Sequence, residues 1–491
     1  MNPRDTREKL LGLSIKEKKE RKKILKDLLF YRGECEEENK EAAVLDNDLL
    51  GQSWINTDDL DYVPSQVIDN KVKPLIGKQA RFMFGKSPNL LLKPFDKENK
   101  ESCEKLRQYI DAILKANRFW SDTLKAFRLA TVTKRVMLRL EANPKRPIKL
   151  YYHDFNDFSY ELDSNDSTKL NKAIIVKQDA STANKEESKQ IWNRYTYSMV
   201  SKKDKESSCF LKTEIFNGNA LDKPTSITEQ DTGLRKVPCW VIINEQCLSD
   251  PNGISDIKDL IPLQNQINRR TSDSADAIRF DMFGLNIIKD ATEDSVNAAK
   301  IAPNSLLALV SLSGKTADAK KIESTFQNAA AAENFIKRLE DSMSEKLSIP
   351  KPEQLTNIPS AKTLKFVYSE LVSRCDEKWH DWEPTIRSMI RLIVEASGQF
   401  KCYDDWDGTW NDLLYNIVIR KNYPVPEDED DKHRIAMEEV NSNVRSHRSY
   451  IKDFTDEEDT ESIIQEIAED ITTIVNAEQG QMVREIDVED T

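Results

Sequence analysis

One short segment has the residue types of a phosphate-binding loop. Ser313-Gly314-Lys315-Thr316 follows the apolar run LLALVSL, as if a strand led into a loop. The pattern G-x-x-x-x-G-K-[ST] also needs an earlier glycine, because the loop backbone must approach the phosphates closely. Leu309 occupies that position, and no apolar strand ending in Asp follows to hold magnesium. We therefore interpret the segment as a turn, with a nucleotide hydrolase as an alternative.

Other side chains capable of catalysis or metal binding are isolated from one another. The seven cysteines form no C-x-x-C pair and their number is odd, which indicates reduced packing residues rather than disulfides or a zinc site. The acidic run 456–459 lacks the glycine and the spacing of a calcium loop. The histidines have no H-x-x-x-H spacing: His153, His380, His433 and His447. The sequence thus predicts no catalytic residue, cofactor or metal.

The composition indicates a large, mainly helical protein. A chain of 491 residues exceeds what one hydrophobic core usually organises, so several sub-structures are expected. Only 13 Gly and 18 Pro are present and 32% of residues are charged, which favours long helices with charged faces. No apolar run approaches the roughly 18 to 20 residues needed to span a bilayer. The first residues lack the apolar core of a signal peptide, so we expect the newly made protein to be located in a cytoplasm.

The charge of the chain argues against tight binding to nucleic acid. The formal charge is −12, whereas affinity for DNA comes largely from clustered Lys and Arg. Residues 7–32 differ from the chain as a whole in charge, because their pattern predicts a helix rich in lysine. A basic arm that contacts nucleic acid is one interpretation of this helix, and a solvated helix face is the one we favour.

Hydrophobic periodicity divides the chain into a helical, a β and a second helical part. Helices are expected at 7–32, at 65–84 with a kink at Pro74, and twice within 101–130. Short β-branched or aromatic runs between 134 and 245 predict a mainly antiparallel β region. Later helices are expected at 253–279, 326–347, 361–397, 431–449 and 456–477, with Pro384 bending the third near His380.

Motifs near residue 253 resemble those of a known family. The stretch Asp250-Pro251-Asn252-Gly253-Ile254-Ser255-Asp256 and the following pattern P-L-Q-x-x-x-N are similar to the start of the stem helix in portal proteins of long-tailed phages that infect Gram-positive bacteria. The matching positions are Gly253, Ser255, Asp256, Leu263, Gln264 and Asn268.

Further similar stretches keep the family's order and extend the resemblance over about residues 25–470. They are Tyr31-Arg32-Gly33, Ile68 to Val72 leading to Gly85-Lys86-Ser87-Pro88, Gly233 through Pro238 to Asn244, and Pro359-Ser360-Ala361. Departures from the family pattern are Pro74 and the loop residues Pro350, Lys351, Pro352 and Glu353.

The resemblance implies an α+β, portal-type architecture that is mainly α-helical, with a β-rich wing region, stem helices, a clip and a C-terminal helical crown. The N-terminal helices and the α/β wing would occupy 1–252, the first stem helix 253–279, the clip 280–325, the second stem helix 326–347, the channel (tunnel) loop 348–361, a long kinked wing helix 362–400 and the crown region 401–491.

The resemblance also implies a homo-oligomeric ring, a dodecamer, at the portal vertex of the virion capsid, assembled in the bacterial host cytoplasm. Double-stranded DNA would pass through the ring without sequence specificity during packaging and ejection. The implied protein partners are the terminase large subunit, the head–tail adaptor, and the major capsid and scaffold proteins. No membrane contact is implied.

The same resemblance assigns a set of residues to the channel loop: Lys351, Glu353, Gln354, Thr356, Asn357 and Lys362. A ring of acidic subunits would repel phosphates and let DNA slide, while the two lysines could guide it weakly. Alternatively, these lysines cap helix ends or pair with Glu353. Two other classes of protein stay open: another phage structural assembly protein, such as a baseplate or scaffold component, and a packaging nucleotide hydrolase.

Overall fold

The computed structural model describes residues 3–33, 65, 67–166, 168–202, 205–218, 220–283, 285–294, 310–322, 329–351, 361–425, 429–442, 444–454 and 463–472. The chain has the expected α+β composition and divides into two compact units. The first unit comprises 1–351 and 370–424, and the second comprises 352–369 and 425–491.

Among the described residues, the N-terminal part of the first unit contains the helices α1 (Pro3–Leu11), α2 (Ile15–Arg32), α3 (Val72–Phe84), α4 (Lys100–Ala116) and α5 (Phe119–Thr133). Ser14 caps α2 by accepting the Glu17 N–H, and Gly33 ends it in the left-handed conformation. The kink expected at Pro74 is wrong, because α3 begins only at Val72. Pro74 therefore lies in the first turn, where a helix needs no N–H from it.

The β region expected between 134 and 245 is confirmed. Strands β2 (Arg135–Asn143), β3 (Arg146–His153) and β9 (Cys239–Ile243) form an antiparallel sheet in the order β3-β2-β9. A five-stranded antiparallel sheet contains β4 (Phe158–Leu162), β5 (Leu170–Gln178), β6 (Ile191–Lys202), β7 (Lys205–Asn217) and β8 (Ser226–Asp231), paired in sequence order. Met137 and Cys239 of the first sheet share one core cluster with Phe158 and Ile175 of the second.

Two helices follow the β region, α6 (Ile261–Phe283) and α7 (Ala329–Lys346), and they pack against each other. Between them β10 (Leu285–Lys289) pairs with β11 (Asp318–Ile322) in antiparallel register. The helix expected from 253 begins at Ile261 instead. Residues 250–260 form turns in which the Ile254 N–H bonds to the Asn244 carbonyl (3.0 Å), so the chain is held in another conformation there.

The helix expected at 361–397 is interrupted at Tyr368, giving α8 (Ala361–Val367) and α9 (Ser369–Phe400). Pro384 does not interrupt α9, which continues as a helix through it. An aromatic core holds α9 against α3 and α5: the Phe84 ring lies 5.1 Å from Trp379, 5.4 Å from Trp382 and 5.5 Å from Phe127, centroid to centroid. This packing holds the turn of α9 that precedes Pro384.

Also in the first unit, β1 (Asn89–Pro94) and β12 (Tyr415–Arg420) form an antiparallel pair. In the second unit, α10 (Glu429–Asn441) and α11 (His447–Phe454) pack through His433 and Phe454, whose ring centroids lie 4.2 Å apart. Residues 463–472 are also helical.

Candidate functional site

The candidate site is the junction where the chain passes from β9 into α6, and it contains the family-like motif residues. Gly253 has φ +78°, a conformation that glycine adopts at little cost. A Cβ atom there would lie 2.5 Å from the Asn244 carbonyl oxygen and 2.6 Å from Cγ2 of Ile243. The position therefore requires glycine for its backbone angle and also for the close approach of the chain after β9.

Ser255 and Asp256 attach this turn to the end of α5. The Ser255 hydroxyl donates to the Val132 carbonyl (2.7 Å), and the Asp256 backbone N–H donates to the Thr131 carbonyl (2.8 Å). Both residues are buried. These contacts fix the direction in which the chain enters α6.

The Asp256 carboxylate is the centre of a buried charged network. It forms an ion pair with Lys378 of α9 (2.9 Å) and another with Arg374 (3.3 Å), and it accepts a hydrogen bond from the Asn244 side chain (2.7 Å). Burial by itself would raise the pKa of Asp256, but the charges of Lys378 and Arg374 outweigh it and hold this pKa below its usual value. The carboxylate is thus ionised, and it ties the start of α6 to α9.

Glu245 completes the network from the other side. Its carboxylate accepts from Arg374 (2.8 Å) and from Lys378 (3.1 Å). Lys378 also donates to the Asn244 side-chain oxygen (2.9 Å), so the buried ammonium has three acceptors. A buried lysine is tolerated when its charge and its donors are satisfied in this way.

Along α6, the buried residues that the structure describes are polar apart from Ile267. Gln264 and Asn268 are fully buried, and their side chains bond to the backbone of the segment that precedes α3. Gln264 Oε1 accepts the Lys71 N–H (2.9 Å) and its Nε2 donates to the Asp69 carbonyl (2.7 Å), while Asn268 Oδ1 accepts the Asp69 N–H (3.2 Å). The Gln264 amide therefore acts as a peptide group would in a neighbouring strand.

The same pattern continues for two more turns of α6. Ser272 Oγ accepts the Val67 N–H (2.9 Å), and Asp276 accepts the Ser65 N–H (2.9 Å). Four residues of helix rise about 6 Å, and two residues of extended chain advance about 6.6 Å, so each helical turn meets the next alternate N–H. We call Gln264, Asn268, Ser272 and Asp276 the polar ladder.

Lys71 connects this arrangement to the second long helix. Its ammonium group pairs with Asp69 (2.8 Å) and with Glu340 of α7 (3.1 Å). The hydrogen bond with Asp69 is the main cause of a raised Lys71 pKa, and Glu340 adds to it against the effect of burial. The segment before α3 thus contacts both α6 and α7.

The structure brings together five of the six motif positions in this junction: Gly253, Ser255, Asp256, Gln264 and Asn268. Leu263, the sixth, is half-buried on α6. Sequence reasoning missed Lys378 and Arg374, which are distant in sequence from Asp256, and it named Asn244 as part of a family-like stretch without its contact to Asp256. It also missed Ser272 and Asp276, because polar residues occupy most positions of α6 and the sequence does not mark which of them are buried.

The channel-loop residues are mostly not placed by the structure. Glu353, Gln354, Thr356 and Asn357 lie outside the described residues, and Lys362 lies in the first turn of α8. Lys351 pairs with Glu345 of α7 (2.6 Å), and Asp341 lies 3.8 Å away. Its ammonium group is therefore directed back along the helix that it follows.

The phosphate-loop candidate is a turn. The Lys315 N–H bonds to the Leu312 carbonyl (3.0 Å), and the Lys315 ammonium pairs with Asp290 (2.8 Å). Strand β11 follows it, whereas a phosphate-binding loop is followed by a helix. Within the residues that the structure describes, no three His, Cys, Asp or Glu side chains are grouped so as to hold a metal ion.

Among the described helices, none has the length and apolar character needed to cross a bilayer. A family model described as phage portal protein, SPP1 Gp6-like, matches residues 14–477. No curated protein matches the chain. The matched range includes the whole junction described above.

Proposed function

The chain belongs to the SPP1 Gp6-like family of phage portal proteins, and on this basis we propose that it forms the ring-shaped channel at one capsid vertex through which the phage genome is packaged and ejected. The observation that carries the proposal is the extent of the family match, residues 14–477 of 491. A match of that extent includes the helices α6 and α7, the hairpin between them and the loop after α7.

The surface of α6 and α7 supports assembly into a ring. In a single copy, α7 buries only Met343 among its eighteen residues. Phe335 of α7 is 39% exposed and Ile278 of α6 is 51% exposed. Such surfaces are stabilised when a neighbouring copy covers them, and a head-to-tail contact that closes on itself produces a ring. We propose a dodecamer held by this heterologous contact.

The regions of the chain take their proposed roles from the family. The wing comprises the helices and sheets up to residue 252, and α6 and α7 are the two stem helices within 253–279 and 326–347. Residues 280–325, with β10 and β11, form the clip, and 348–361 form the channel loop. The long wing helix and the crown occupy 362–400 and 401–491.

The proposed partners follow from these regions. The clip docks the terminase large subunit during packaging and the head–tail adaptor afterwards, while capsid and scaffold proteins surround the ring at the portal vertex. Double-stranded DNA passes along the axis without sequence specificity. The role is structural rather than enzymatic, and the pairing of Lys315 with Asp290 supports a turn without nucleotide chemistry.

The channel loop is proposed to contact DNA through Lys351, Glu353, Gln354, Thr356, Asn357 and Lys362. Pro350, Pro352 and Pro359 prevent this segment from continuing either neighbouring helix. A channel without clustered positive charge lets DNA slide with little counterion release at each step.

Electron microscopy of the purified protein tests the proposed function, and closed rings with a central hole are expected. A loop variant tests the channel-loop assignment. It should still form rings but should impair DNA packaging or retention, and it has Gly or Ser in place of Glu353, Gln354, Thr356 and Asn357. A Lys315→Ala variant tests the nucleotide-hydrolase alternative and should leave function unaltered apart from clip contacts, because the described residues around Lys315 form no phosphate cradle. The loss of rings on loop replacement, or normal filling with intact rings, would contradict the loop assignment.

A further inference from the structure

The outward face of α2 bears a row of exposed lysines, which we call the lysine strip: Lys16, Lys19, Lys22 and Lys23. Successive helical residues are about 100° apart, so these four side chains lie within an arc of about 120°. The opposite face of α2 is buried through Arg21, Ile24 and Leu28. The helix is therefore fixed to the wing by one face and presents ammonium groups on the other.

The acidic residues of α2 do not neutralise the strip, because they pair inward or are withdrawn from solvent. Glu17 accepts from Arg21 (2.9 Å) and from Arg135 of β2. Glu20 accepts from Lys134 (2.7 Å), and Asp27 is half-buried. Arg21 in turn donates to the Phe155 and Phe158 carbonyls (2.5 Å each). Glu17 and Glu20 therefore have basic partners on the buried side of α2 and do not pair with the lysine strip.

Two lysines on other helices of the same unit differ in this respect. Lys105 pairs with Glu101 four residues away (2.8 Å), and Lys125 pairs with Asp122 (2.8 Å). Within the described part of the chain, no ammonium group of the lysine strip forms an ion pair, although Lys23 attracts Glu20 at longer range. The strip is thus a local concentration of uncompensated positive charge.

The acidic charge of the protein is located elsewhere in the sequence. Residues 455–491 contain thirteen acidic residues and one basic residue, Arg484, so their formal charge of −12 equals that of the whole chain. Residues 1–454 are therefore neutral as a set. The net charge of the chain consequently does not exclude polyanion binding at α2.

We propose that the lysine strip binds the phosphate backbone of duplex DNA, without sequence specificity and independently of the axial channel. From Lys16 to Lys23 the helix rises about 10 Å, and one DNA strand presents about three phosphates over that length. Lysine ammonium groups are flexible point charges that suit phosphates and carry no base readout. Protein interfaces are depleted in lysine, and so the composition of the strip favours a nucleic acid over an acidic protein partner.

Each copy binds weakly, because only three to four ion pairs form. The logarithm of affinity should therefore fall with the logarithm of salt concentration with a slope of about −3 per strip. If the copies form a ring, several strips act on one DNA molecule and avidity increases the affinity.

Fluorescence anisotropy with a labelled 30-base-pair duplex of mixed sequence, titrated with the full chain at two or more salt concentrations, tests this inference. The variant Lys16→Gln/Lys19→Gln/Lys22→Gln/Lys23→Gln should bind at least tenfold more weakly, and the same positions changed to Arg should retain binding. The control changes Lys97, Lys100, Lys105 and Lys115 to Gln, which alters net charge equally on another exposed surface. This control should bind as the parent does.

Three results would overturn the inference. The parent could show no salt-dependent binding at low salt, the strip and control variants could lose binding equally, or polyglutamate rather than DNA could be the polyanion whose binding depends on the strip. Ring formation is followed by electron microscopy on the same samples. Rings that bind no duplex would refute the strip and leave the proposed portal role intact, whereas the absence of rings would concern the portal role alone.

Discussion

Gln264 pairs with Lys71 as one strand pairs with another, because its amide oxygen accepts the Lys71 N–H (2.9 Å) while its amide nitrogen donates to the neighbouring Asp69 carbonyl (2.7 Å). A helix side chain thereby replaces a missing strand and satisfies backbone groups at the start of α3. The fully buried position of Gln264 makes this pairing a stabilising contact rather than a surface one.

We predict that Gln264→Leu lowers the free energy of unfolding by about 1 to 3 kcal/mol, because it leaves the Lys71 N–H and the Asp69 carbonyl without these partners. Thermal unfolding followed by circular dichroism measures the change. Gln266→Ala on the same helix is the control and should have an effect of less than about 0.5 kcal/mol. Equal effects of the two substitutions would contradict the ladder.

We predict that Asp256→Asn destabilises the protein by about 1.5 to 3 kcal/mol, because it removes one of the two carboxylates that pair with Lys378 and Arg374 and leaves only Glu245 to compensate their charges. Glu101→Gln removes an exposed ion pair with Lys105 and should change stability much less, because water screens that pair. Chemical denaturation of the three proteins gives the comparison. The folded-state pKa of Asp256 is lowered from 3.8, so this contribution is present above that pH and is lost only as pH falls below it.

We predict that Gly253→Ala destabilises the junction more than Gly314→Ala destabilises its turn. Both glycines have positive φ, +78° and +81°, so both substitutions incur about 1 kcal/mol of backbone strain. Only Gly253 has atoms within 3 Å of the added Cβ, whereas Gly314 has none within 4 Å. The difference between the thermal unfolding midpoints of the two variants measures the cost of the steric clash at Gly253. Equal midpoints would contradict the prediction, because they would mean that the turn at Gly253 relaxes to accept the Cβ atom.

We predict a pH-dependent gain in stability from Asp27→Asn. Burial raises the pKa of Asp27 from 3.8 to about 6, so the folded state binds a proton between these pH values and the unfolded state does not. The ionised side chain therefore opposes folding at pH 7.5, by at most about 3 kcal/mol, and this disadvantage fades as pH falls to 5. The Asp27→Asn variant should raise the thermal unfolding midpoint at pH 7.5 more than at pH 5. A midpoint lowered equally at both pH values would contradict this, because it would show that the Asp27 carboxylate has a stabilising contact that Asn cannot make.

Local patterns predicted much of the fold, and the reasons for the failures are specific. The change of period at residue 134 gave the β region, because alternation along a strand is set by neighbouring residues. Pro74 was misinterpreted because the start of α3 depends on Gln264, almost two hundred residues away. The interruption at Tyr368 was also missed. The continuity of α9 at Pro384 was missed as well, since the packing of Trp379 and Trp382 against Phe84 just before the proline is a tertiary effect.

The candidate site could be predicted only in part for the same reason. Gly253, Ser255, Asp256, Gln264 and Asn268 were identified by resemblance to a family, which named the positions but not their contacts. Lys378 carries no local signal, because a lysine on an amphipathic helix is usually exposed. Its burial follows from the position of Asp256, which no sequence periodicity specifies.

The mass of the purified assembly tests the central proposal most directly. Native mass spectrometry should detect a closed ring of identical copies, and twelve copies of the 56.5 kDa chain would have a mass of about 680 kDa. Only monomers or two-fold dimers at high protein concentration would contradict the proposal that α6 and α7 are completed by neighbouring copies in a portal ring.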